Sequence, residues 1–344
     1  MSPSPADARN TLPIARVRAL VELAAHRGWD VAGLLSEAGI SPVLLPEGRS
    51  RVTWEQAAEL VQRLWRTTDD ELLGLGLVPV PRGTFRLVCF GLISAPTLGA
   101  AIRRFESFQR SLPGFPPIVL TEAAGEARLT FDISGIAQPV ETLIDTMLTI
   151  SHRFLDWTIG RRIPLRGVEL PHPQNPEFDD YDVIFGAPVT FSAPRPALIF
   201  DGAQLDAPIV RTEDDLMVFL RSAPAGVIGI RDYSVSLAAQ VRRILERGLT
   251  DGWPSVDDIA RELLMSPQTL RRRLQEENTT PREIREQILR DAAISSLVRG
   301  EETVAALSRR LGFSEPSAFS RAFRRWTGSP PGSYQHRPGA PVTD

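Results

Sequence analysis

The C-terminal hundred residues contain the same helical pattern twice, and this repeat constrains the fold more than any other feature. In the first copy, an amphipathic helix that carries Ile259 is followed by a short turn and a second helix that carries Leu270. In the second copy, Leu307 and Phe319 hold the corresponding positions, at spacings of 48 and 49 residues. One residue added in the second turn explains the difference. A short helix, a turn and a second helix form the helix-turn-helix arrangement.

Polar caps mark where these helices begin. Ser255, with Asp258 three residues later, precedes the first helix, and Ser266-Pro267 precedes the second. A capping box at Thr280 starts a helix that joins the two copies and runs to about Arg299. A continuous helix holds two units at a fixed separation, and adjacent major grooves on one side of B-DNA lie about 34 Å apart. The pattern therefore predicts two units that contact successive grooves.

The second helix of the first copy has a polar, arginine-rich outer face. Apolar side chains stand only at Leu270 and Leu274, and the positions between carry glutamine, threonine and three consecutive arginines. Arginine forms bidentate hydrogen bonds with guanine, and glutamine does so with adenine. A solvated arginine-rich helix would explain this segment alone equally well. The presence of two copies favours DNA binding.

Residues 312–328, Gly-Phe-Ser-Glu-Pro-Ser-Ala-Phe-Ser-Arg-Ala-Phe-Arg-Arg-Trp-Thr-Gly, resemble the signature of the AraC/XylS family of bacterial transcription regulators. Residues 266–274, Ser-Pro-Gln-Thr-Leu-Arg-Arg-Arg-Leu, are similar to the first recognition helix of that family. The resemblance covers about residues 237–335. It implies an all-α C-terminal domain in which two helix-turn-helix units, joined by a long helix, bind double-stranded promoter DNA.

The resemblance also assigns DNA contacts by position. Side chains on both recognition helices are expected to contact bases. Arg324 and Arg325, about a turn after Arg321, are expected to bind phosphate. The complete set of implied DNA-binding residues is Gln268, Thr269, Arg271, Arg272, Glu315, Ser317, Ser320, Arg321, Arg324 and Arg325.

The sequence departs from the family pattern at two positions. The family usually has glycine in the first turn, where this chain has Leu264. If that turn needs a positive φ, leucine is strained there or the turn is rebuilt, so we expect the two units to contribute unequally. The family's arginine after the C-terminal aromatic residue is Gln335 here, and we expect little effect from this change.

Residues 12–215 mix helical and strand patterns, which predicts an α+β domain. Helical spacing occurs over residues 12–40, 53–66, 96–111 and 140–159, and a hairpin pattern spans 118–133. Residues 81–85 with 94–105, and residues 185–191 with 198–201, resemble the N-terminal, arabinose-binding-like effector domain of one branch of the same family, and this looser resemblance spans much of residues 12–210. That resemblance implies a domain that binds a small effector and aids dimerisation.

An apolar pocket between helices and a small sheet favours a hydrophobic or amphipathic effector. The alternative for each candidate side chain is an ordinary place in the core. The candidates for effector binding are Phe85, Phe90, Phe105, Phe108, Phe131, Met147 and Trp157.

Charge and composition divide the chain in the same way. Residues 235–344 hold 17 arginines against 14 carboxylates, which leaves a net charge of −6 for the first 234 residues, because the whole chain carries −3. The predicted organisation is a disordered N-terminus (1–11), an effector and dimerisation domain (12–215), a linker (216–234), a DNA-binding domain (235–336) and a tail (337–344). All 39 basic residues are arginine, which codon bias in a GC-rich genome explains.

The sequence contains no motif that indicates an enzyme. The single cysteine, Cys89, lies in an apolar run that favours a buried, inert thiol, and the four histidines show no metal-ligand spacing. Nucleophile-elbow, phosphate-loop and dinucleotide fingerprints are missing. We therefore expect no cofactor, no metal and no catalysis. Because there is neither a signal peptide nor a run of about 18 to 20 apolar residues, we also expect a cytoplasmic protein without a membrane partner.

These expectations combine into a DNA-binding transcription regulator; we expect an activator, and the residues themselves leave repression open. We expect it to form a homodimer, to respond to a small molecule and to contact RNA polymerase. Two alternatives stay open. One is a constitutive regulator whose N-terminal domain only dimerises, and the other is an enzyme that its C-terminal domain targets to DNA.

Overall fold

The computed structural model describes residues 11–137, 140–221, 237–277 and 279–335. Their contacts divide the chain into two compact units. The first unit combines the residues up to Ala57 with those from Ile230 onward, and the second comprises Ala58–Gly229. Of the eleven N-terminal residues predicted to be disordered, only Thr11 is described, and it lies in a strand. The predicted tail lies outside the described residues.

The N-terminal part of the first unit is built around a two-stranded antiparallel sheet. Leu12 faces Val52 in this sheet, and the two helices between the strands confirm the predicted helical spacing. A further helix begins with a capping box, because the Thr53 and Gln56 side chains each accept a hydrogen bond from the other's backbone N–H. The elements are β1 (Thr11–Pro13), α1 (Ile14–His26), α2 (Val31–Glu37) and β2 (Arg51–Thr53), followed by α3 (Trp54–Thr68), most of whose residues belong to the second unit.

The second unit mixes helices with a five-stranded sheet, as the sequence predicts. Its helices are α4 (Thr84–Ile93), α5 (Leu98–Phe108), α6 (Glu141–Thr158), α7 (Tyr181–Phe185) and α8 (Glu213–Arg221). Its strands are β3 (Ile118–Ala123), β4 (Glu126–Phe131), β5 (Leu165–Glu169), β6 (Val189–Thr190) and β7 (Ala197–Asp201). The sheet order is β3-β4-β7-β5-β6, with β5 and β6 parallel and the other neighbours antiparallel.

One face of this sheet is buried. Along β4, Ala127, Leu129 and Phe131 are buried and alternate with half-buried side chains, as expected for a strand with one face on a core. Opposite Leu129 in β7 lies Leu198, which is also buried. Apolar side chains of α5 and α6, among them Phe105 and Leu148, complete the core of the second unit.

The C-terminal part of the first unit is all helical. Its elements are α9 (Leu237–Glu246), α10 (Gly248–Asp251), α11 (Val256–Glu262), α12 (Pro267–Glu276), α13 (Pro281–Arg299), α14 (Val304–Arg310) and α15 (Pro316–Thr327). A short 3-10 turn follows at Pro331–Tyr334. The predicted fold class, an α+β N-terminal domain followed by an all-α double helix-turn-helix domain, is therefore confirmed.

The structure differs from the sequence expectations in three places. Helix α4 has no predicted counterpart, because the apolar run 87–90 shows no clear period. Residues 216–221 belong to α8 rather than to a linker, and Leu216 is fully buried. The rest of the predicted linker lies outside the described residues. Finally, residues 11–57 belong to the same compact unit as the C-terminal helices, whereas the sequence places them in the domain 12–215.

Within the described residues, no helix combines the length and the apolar character that crossing a bilayer requires.

Candidate nucleic-acid interface

The first recognition helix, α12, is anchored by leucines and presents polar side chains to solvent. Leu270 and Leu274 are fully buried in a core that α9, α11 and the first half of α13 complete. The Ser266 hydroxyl caps the helix by accepting a hydrogen bond from the Thr269 N–H at 3.1 Å. This anchoring leaves the opposite face of α12 free to enter a groove.

The predicted contact residues of α12 lie on that opposite face. Gln268, Arg271 and Arg272 are exposed, whereas Thr269 is half-buried beside its cap. Arg272 forms an ion pair with Glu276 one turn away. To other residues that the structure describes, Gln268 and Arg271 make no side-chain hydrogen bond. Their donors are therefore available to a ligand.

The helix before α12 is held at its start by a reciprocal cap. Ser255 and Asp258 exchange hydrogen bonds with each other's backbone N–H at 3.1 Å, which confirms the predicted N-cap. The Ser255 side chain and Arg261 also donate to the Asp258 carboxylate, and these bonds lower its pKa. The carboxylate stays ionised at the N-terminus of α11, where a negative charge is favourable.

The second recognition helix, α15, is anchored by aromatic residues. Phe319 and Phe323 are fully buried, and their rings lie 5.7 Å apart. Tyr334 packs edge-on against Phe323 at 5.2 Å, and Phe313 does so against Phe319 at 5.5 Å. Trp326, less than one turn after Phe323, is only half-buried.

The predicted contact residues of α15 fall into two groups. Ser317, Arg321 and Arg324 are exposed, and no residue that the structure describes forms a side-chain hydrogen bond with either arginine. The Ser320 hydroxyl instead donates to the Pro316 carbonyl at 2.9 Å, and the Ser317 hydroxyl donates to Glu315 at 3.1 Å. Arg321 and Arg324 are thus the side chains of this helix whose hydrogen-bond donors are most available to a ligand.

Glu286 of α13 holds the C-terminal end of α15. No pattern in the sequence indicates this role. Its carboxylate accepts hydrogen bonds from Arg325 and from the Trp326 indole N–H, both at 3.3 Å. Arg325 is therefore partly engaged within the protein, whereas Arg324 is not. Of the two predicted phosphate-binding residues, Arg324 has the more accessible charge.

The linking helix α13 carries one helix-turn-helix unit on each half. Ile284 and Ile288 in its first half pack in the core of the first helix-turn-helix unit, and its second half contacts α14 and α15 of the second helix-turn-helix unit. Thr280 caps its N-terminus, and Gly300 ends it in a left-handed conformation. Its 19 residues correspond to a length of about 28 Å.

The side chains predicted to bind an effector lie on four elements of the second compact unit. Phe85 and Trp157 belong to one aromatic cluster, which Phe154 connects at centroid distances of 6.0 Å. Phe105 belongs to another cluster, with Phe115 at 5.6 Å. The candidates are placed as Phe85 and Phe90 on α4, Phe105 and Phe108 on α5, Phe131 on β4, and Met147 and Trp157 on α6. An effector contact stays a prediction for each of them.

Helix α6 also buries ionisable side chains that the sequence analysis does not identify. His152 Nε2 lies 3.4 Å from Asp156 Oδ1, and both groups bind the backbone of Ile163. Burial raises the pKa of Asp156 to about 7 and lowers that of His152 to about 4. Elsewhere on the helix, Asp145 accepts a hydrogen bond from His172 at 3.0 Å.

Two family models match the chain. The arabinose-binding domain of AraC transcription regulators, an N-terminal domain, matches residues 28–209, which are 182 of the 344 residues. A helix-turn-helix domain matches residues 259–337. Together they cover the candidate interface and most of the second compact unit.

The chain is also similar to individual proteins. An ornithine utilization regulator from Pseudomonas aeruginosa is 24% identical over 331 residues, or 95% of this chain and 97% of the relative. The transcriptional activator NphR from a Rhodococcus species is 36% identical over 96 residues, or 28% of this chain and 29% of the relative. The crystal structure of the Pseudomonas aeruginosa regulator CdpR is 20% identical, covers 92% of this chain and 96% of its own, and has a TM-score of 0.31.

Proposed function

Because this chain belongs to the AraC family of transcription regulators, we propose that it binds promoter DNA with α12 and α15 in neighbouring major grooves. One observation carries this proposal. Both ends of a single helix present a recognition helix with exposed, unengaged donors, Arg271 on α12 and Arg321 on α15. Such donors are suited to the hydrogen-bond acceptors of base edges and phosphates.

The dimensions of the linking helix support this geometry. At about 28 Å, α13 is slightly shorter than the spacing of about 34 Å between adjacent major grooves on one side of B-DNA. A recognition helix packed near each end can therefore reach the next groove without an extended loop. A rigid connection also fixes the relative orientation of the two readers.

Among the side chains of the two recognition helices we distinguish base contacts from phosphate contacts. Gln268, Arg271, Arg272 and Arg321 would contact bases, with Thr269, Glu315, Ser317 and Ser320 at the edges of the contact region. Arg324 and, more weakly, Arg325 would bind phosphate. The weaker role for Arg325 follows from its bond to Glu286, which must be given up or shared when DNA binds.

A footprint of the purified full-length protein on the DNA upstream of its own and neighbouring genes tests this function. We expect two protected stretches about 10 base pairs apart, one for each recognition helix. Arg271→Ala should weaken one stretch and Arg321→Ala the other. Equal binding to all DNA fragments of the same length would contradict the proposal.

We further propose that a small molecule binds the N-terminal domain and alters DNA binding in a homodimer that contacts RNA polymerase in the cytoplasm. The family match over residues 28–209 supports the effector, and the aromatic clusters of the second unit favour one with an apolar part. A ligand acts this way only if it binds one domain arrangement more tightly than another.

A thermal melting screen separates this sensor from a constitutive regulator. Hydrophobic acids, sugars and amino acids form the screen, and ornithine is included because one relative is named for ornithine utilization. A ligand at 100 times its Kd stabilises the folded state by about 2.7 kcal/mol. A ligand that raises the melting temperature and also changes promoter affinity supports the sensor. Stabilisation by none of these classes would favour the constitutive alternative.

A further inference from the structure

Residues 11–53, here called the N-terminal segment, pack inside the same compact unit as the C-terminal helices. We infer that this segment contributes to DNA binding, because it positions the second recognition helix, α15. The inference rests on the proposed function. It goes further because the family models assign residues 28–209 to the effector domain and begin the helix-turn-helix domain at residue 259.

The first observation is a buried polar network between β1, β2 and α13. The Thr11 hydroxyl donates to Asp291 Oδ1 at 2.8 Å, and Arg51 Nε donates to the same hydroxyl at 3.0 Å. The Arg51 guanidinium also lies 3.9 Å from the Asp291 carboxylate, and both side chains are less than a tenth exposed. A buried carboxylate is costly unless it is paired and hydrogen-bonded. Arg290 of α13 also donates to Asp291 Oδ1, at 3.1 Å, and the N-terminal segment adds the Thr11 hydroxyl and the Arg51 guanidinium to the partners of this buried carboxylate.

The second observation concerns the C-terminal end of α15. The last carbonyls of a helix have no partner within the helix. Here the Ser50 hydroxyl donates to the Thr327 carbonyl at 3.1 Å, and Arg49 donates to the Arg325 carbonyl at 3.2 Å. Both donors come from the loop before β2. The N-terminal segment thus holds the end of the recognition helix that carries Arg321 and Arg324.

The third observation is the burial of α13. Its seven consecutive residues from Asp291 to Leu297 are all buried, although a helix that packs on one side leaves its opposite face in solvent. Strands β1 and β2 contact α13 and cover that face. In addition, the backbone N–H of Arg51 donates to the Tyr334 hydroxyl at 3.2 Å, beside the aromatic core of the second helix-turn-helix unit.

These contacts are unequal between the two recognition helices. The described contacts of the segment reach α13, α15 and the turn at Tyr334, whereas the core around α12 consists of residues 237–288. Loosening the segment should therefore change DNA binding by α15 and leave α12 in place. This asymmetry distinguishes positioning of one recognition helix from general support of the fold.

The test uses the full-length protein and a promoter fragment on which it gives two protected stretches. Thr11→Val removes the hydroxyl but keeps nearly the same side-chain shape, and Ser50→Ala removes the donor at the end of α15. Thr11→Ser keeps the hydroxyl and serves as the conservative variant. The matched control is Ser36→Ala, at an exposed position of α2. Hydroxyl-radical footprints over a protein titration report an affinity for each half of the site.

We expect Thr11→Val and Ser50→Ala to weaken protection of the α15 half about tenfold, with the α12 half changed less than about twofold. Thr11→Ser and Ser36→Ala should bind like the unmodified protein. Unchanged protection with both Thr11→Val and Ser50→Ala, or equal losses at the α12 and α15 halves of the site, would overturn the inference. Absence of any specific footprint with the unmodified protein would instead contradict the proposed function.

Discussion

Leu264 and Gly312 occupy the same place in the two helix-turn-helix turns, and both have a left-handed backbone, with φ values of 55° and 83°. In each turn the N–H of the next residue bonds to the carbonyl five positions earlier, at 2.9 Å and 3.0 Å. The turn is therefore kept and not rebuilt, and leucine bears the strain of a conformation that suits glycine. The Leu264 side chain is 94% exposed, so packing does not offset that strain.

Replacing Leu264 with glycine should stabilise the DNA-binding unit by about 0.5 to 1 kcal/mol. The left-handed conformation costs a residue with a side chain about 1 to 2 kcal/mol. The greater freedom of glycine in the unfolded chain cancels about 0.5 to 1 kcal/mol of that gain. Thermal unfolding of the full-length protein measures the difference, as an increase of about 1 to 4 °C in Tm.

The matched control is Gly312→Ala, which places a side chain at the same position of the other turn. A Cβ there meets open space, so only backbone strain is added, and Tm should fall. A Leu264→Gly protein that melts at or below the temperature of the unmodified protein would show that the strain in the first turn does not exceed the entropic cost of glycine.

Arg272→Ala and Arg321→Ala should each weaken binding to the native promoter by about 1 to 3 kcal/mol. Each change removes a bidentate donor from one recognition helix, so sequence preference should relax only at the base pairs that this helix contacts. Binding assays on promoter fragments with single base changes measure both effects. Native affinity and preference in both variants would rule out α12 and α15 as the recognition helices.

Arg324→Ala should have a different signature, because we assign this residue to phosphate. Affinity should fall by a similar factor on every DNA sequence. The slope of log affinity against log salt concentration should become shallower by about one, because one phosphate contact is lost. Titrations at several salt concentrations measure the slope. Arg110→Ala, at an exposed position in the other compact unit, serves as the control and should leave the slope unchanged. A loss confined to one sequence would assign Arg324 to bases instead.

Asp156→Asn should change how the stability of the second compact unit depends on pH. Folded Asp156 keeps its proton up to a pKa of about 7, above its ordinary value of 3.8, so its contribution to stability falls as pH rises through this range. Folded His152 stays neutral down to about 4, below its ordinary 6.5, so its contribution rises with pH. Between about pH 4 and 6.5 the two trends oppose each other.

With Asp156→Asn only the histidine trend remains, so Tm should rise with pH from 4 to 6.5 more steeply than in the unmodified protein. His152→Gln should show the reverse, with Tm falling up to about pH 7. Melting curves across this pH range test both variants. Three parallel profiles would mean that neither group titrates differently in the folded and unfolded states.

Cys89 should not react with thiol reagents while the protein is folded. The side chain is fully buried on α4, and burial raises the pKa of its thiol well above the usual 9.0. Because the thiolate is the reactive form, both access and ionisation are suppressed. Labelling with iodoacetamide at pH 8 should be complete in denaturant and negligible without it. Rapid labelling of the native protein would contradict the assigned burial.

Local signals in the sequence were sufficient for the helices and turns of the candidate interface. Capping pairs such as Ser255 with Asp258 act within one helical turn, and the period of apolar residues reports which face is buried. These features depend on neighbours a few residues apart, so they can be deduced without knowing the fold. The glycine that the family usually has in the first turn drew attention to Leu264, but whether leucine there is strained or the turn is rebuilt was decided only by the folded backbone.

Tertiary structure alone decided which distant segments meet. Thr11 and Asp291 are 280 positions apart, and strand β7 lies between β4 and β5, although it comes later in the chain than both. The same applies to Glu286, whose partners on α15 lie about 40 positions away. A pattern of apolar residues shows that a face is buried but not what covers it. For α13 the cover is a segment from the beginning of the chain, and only the folded structure identifies it.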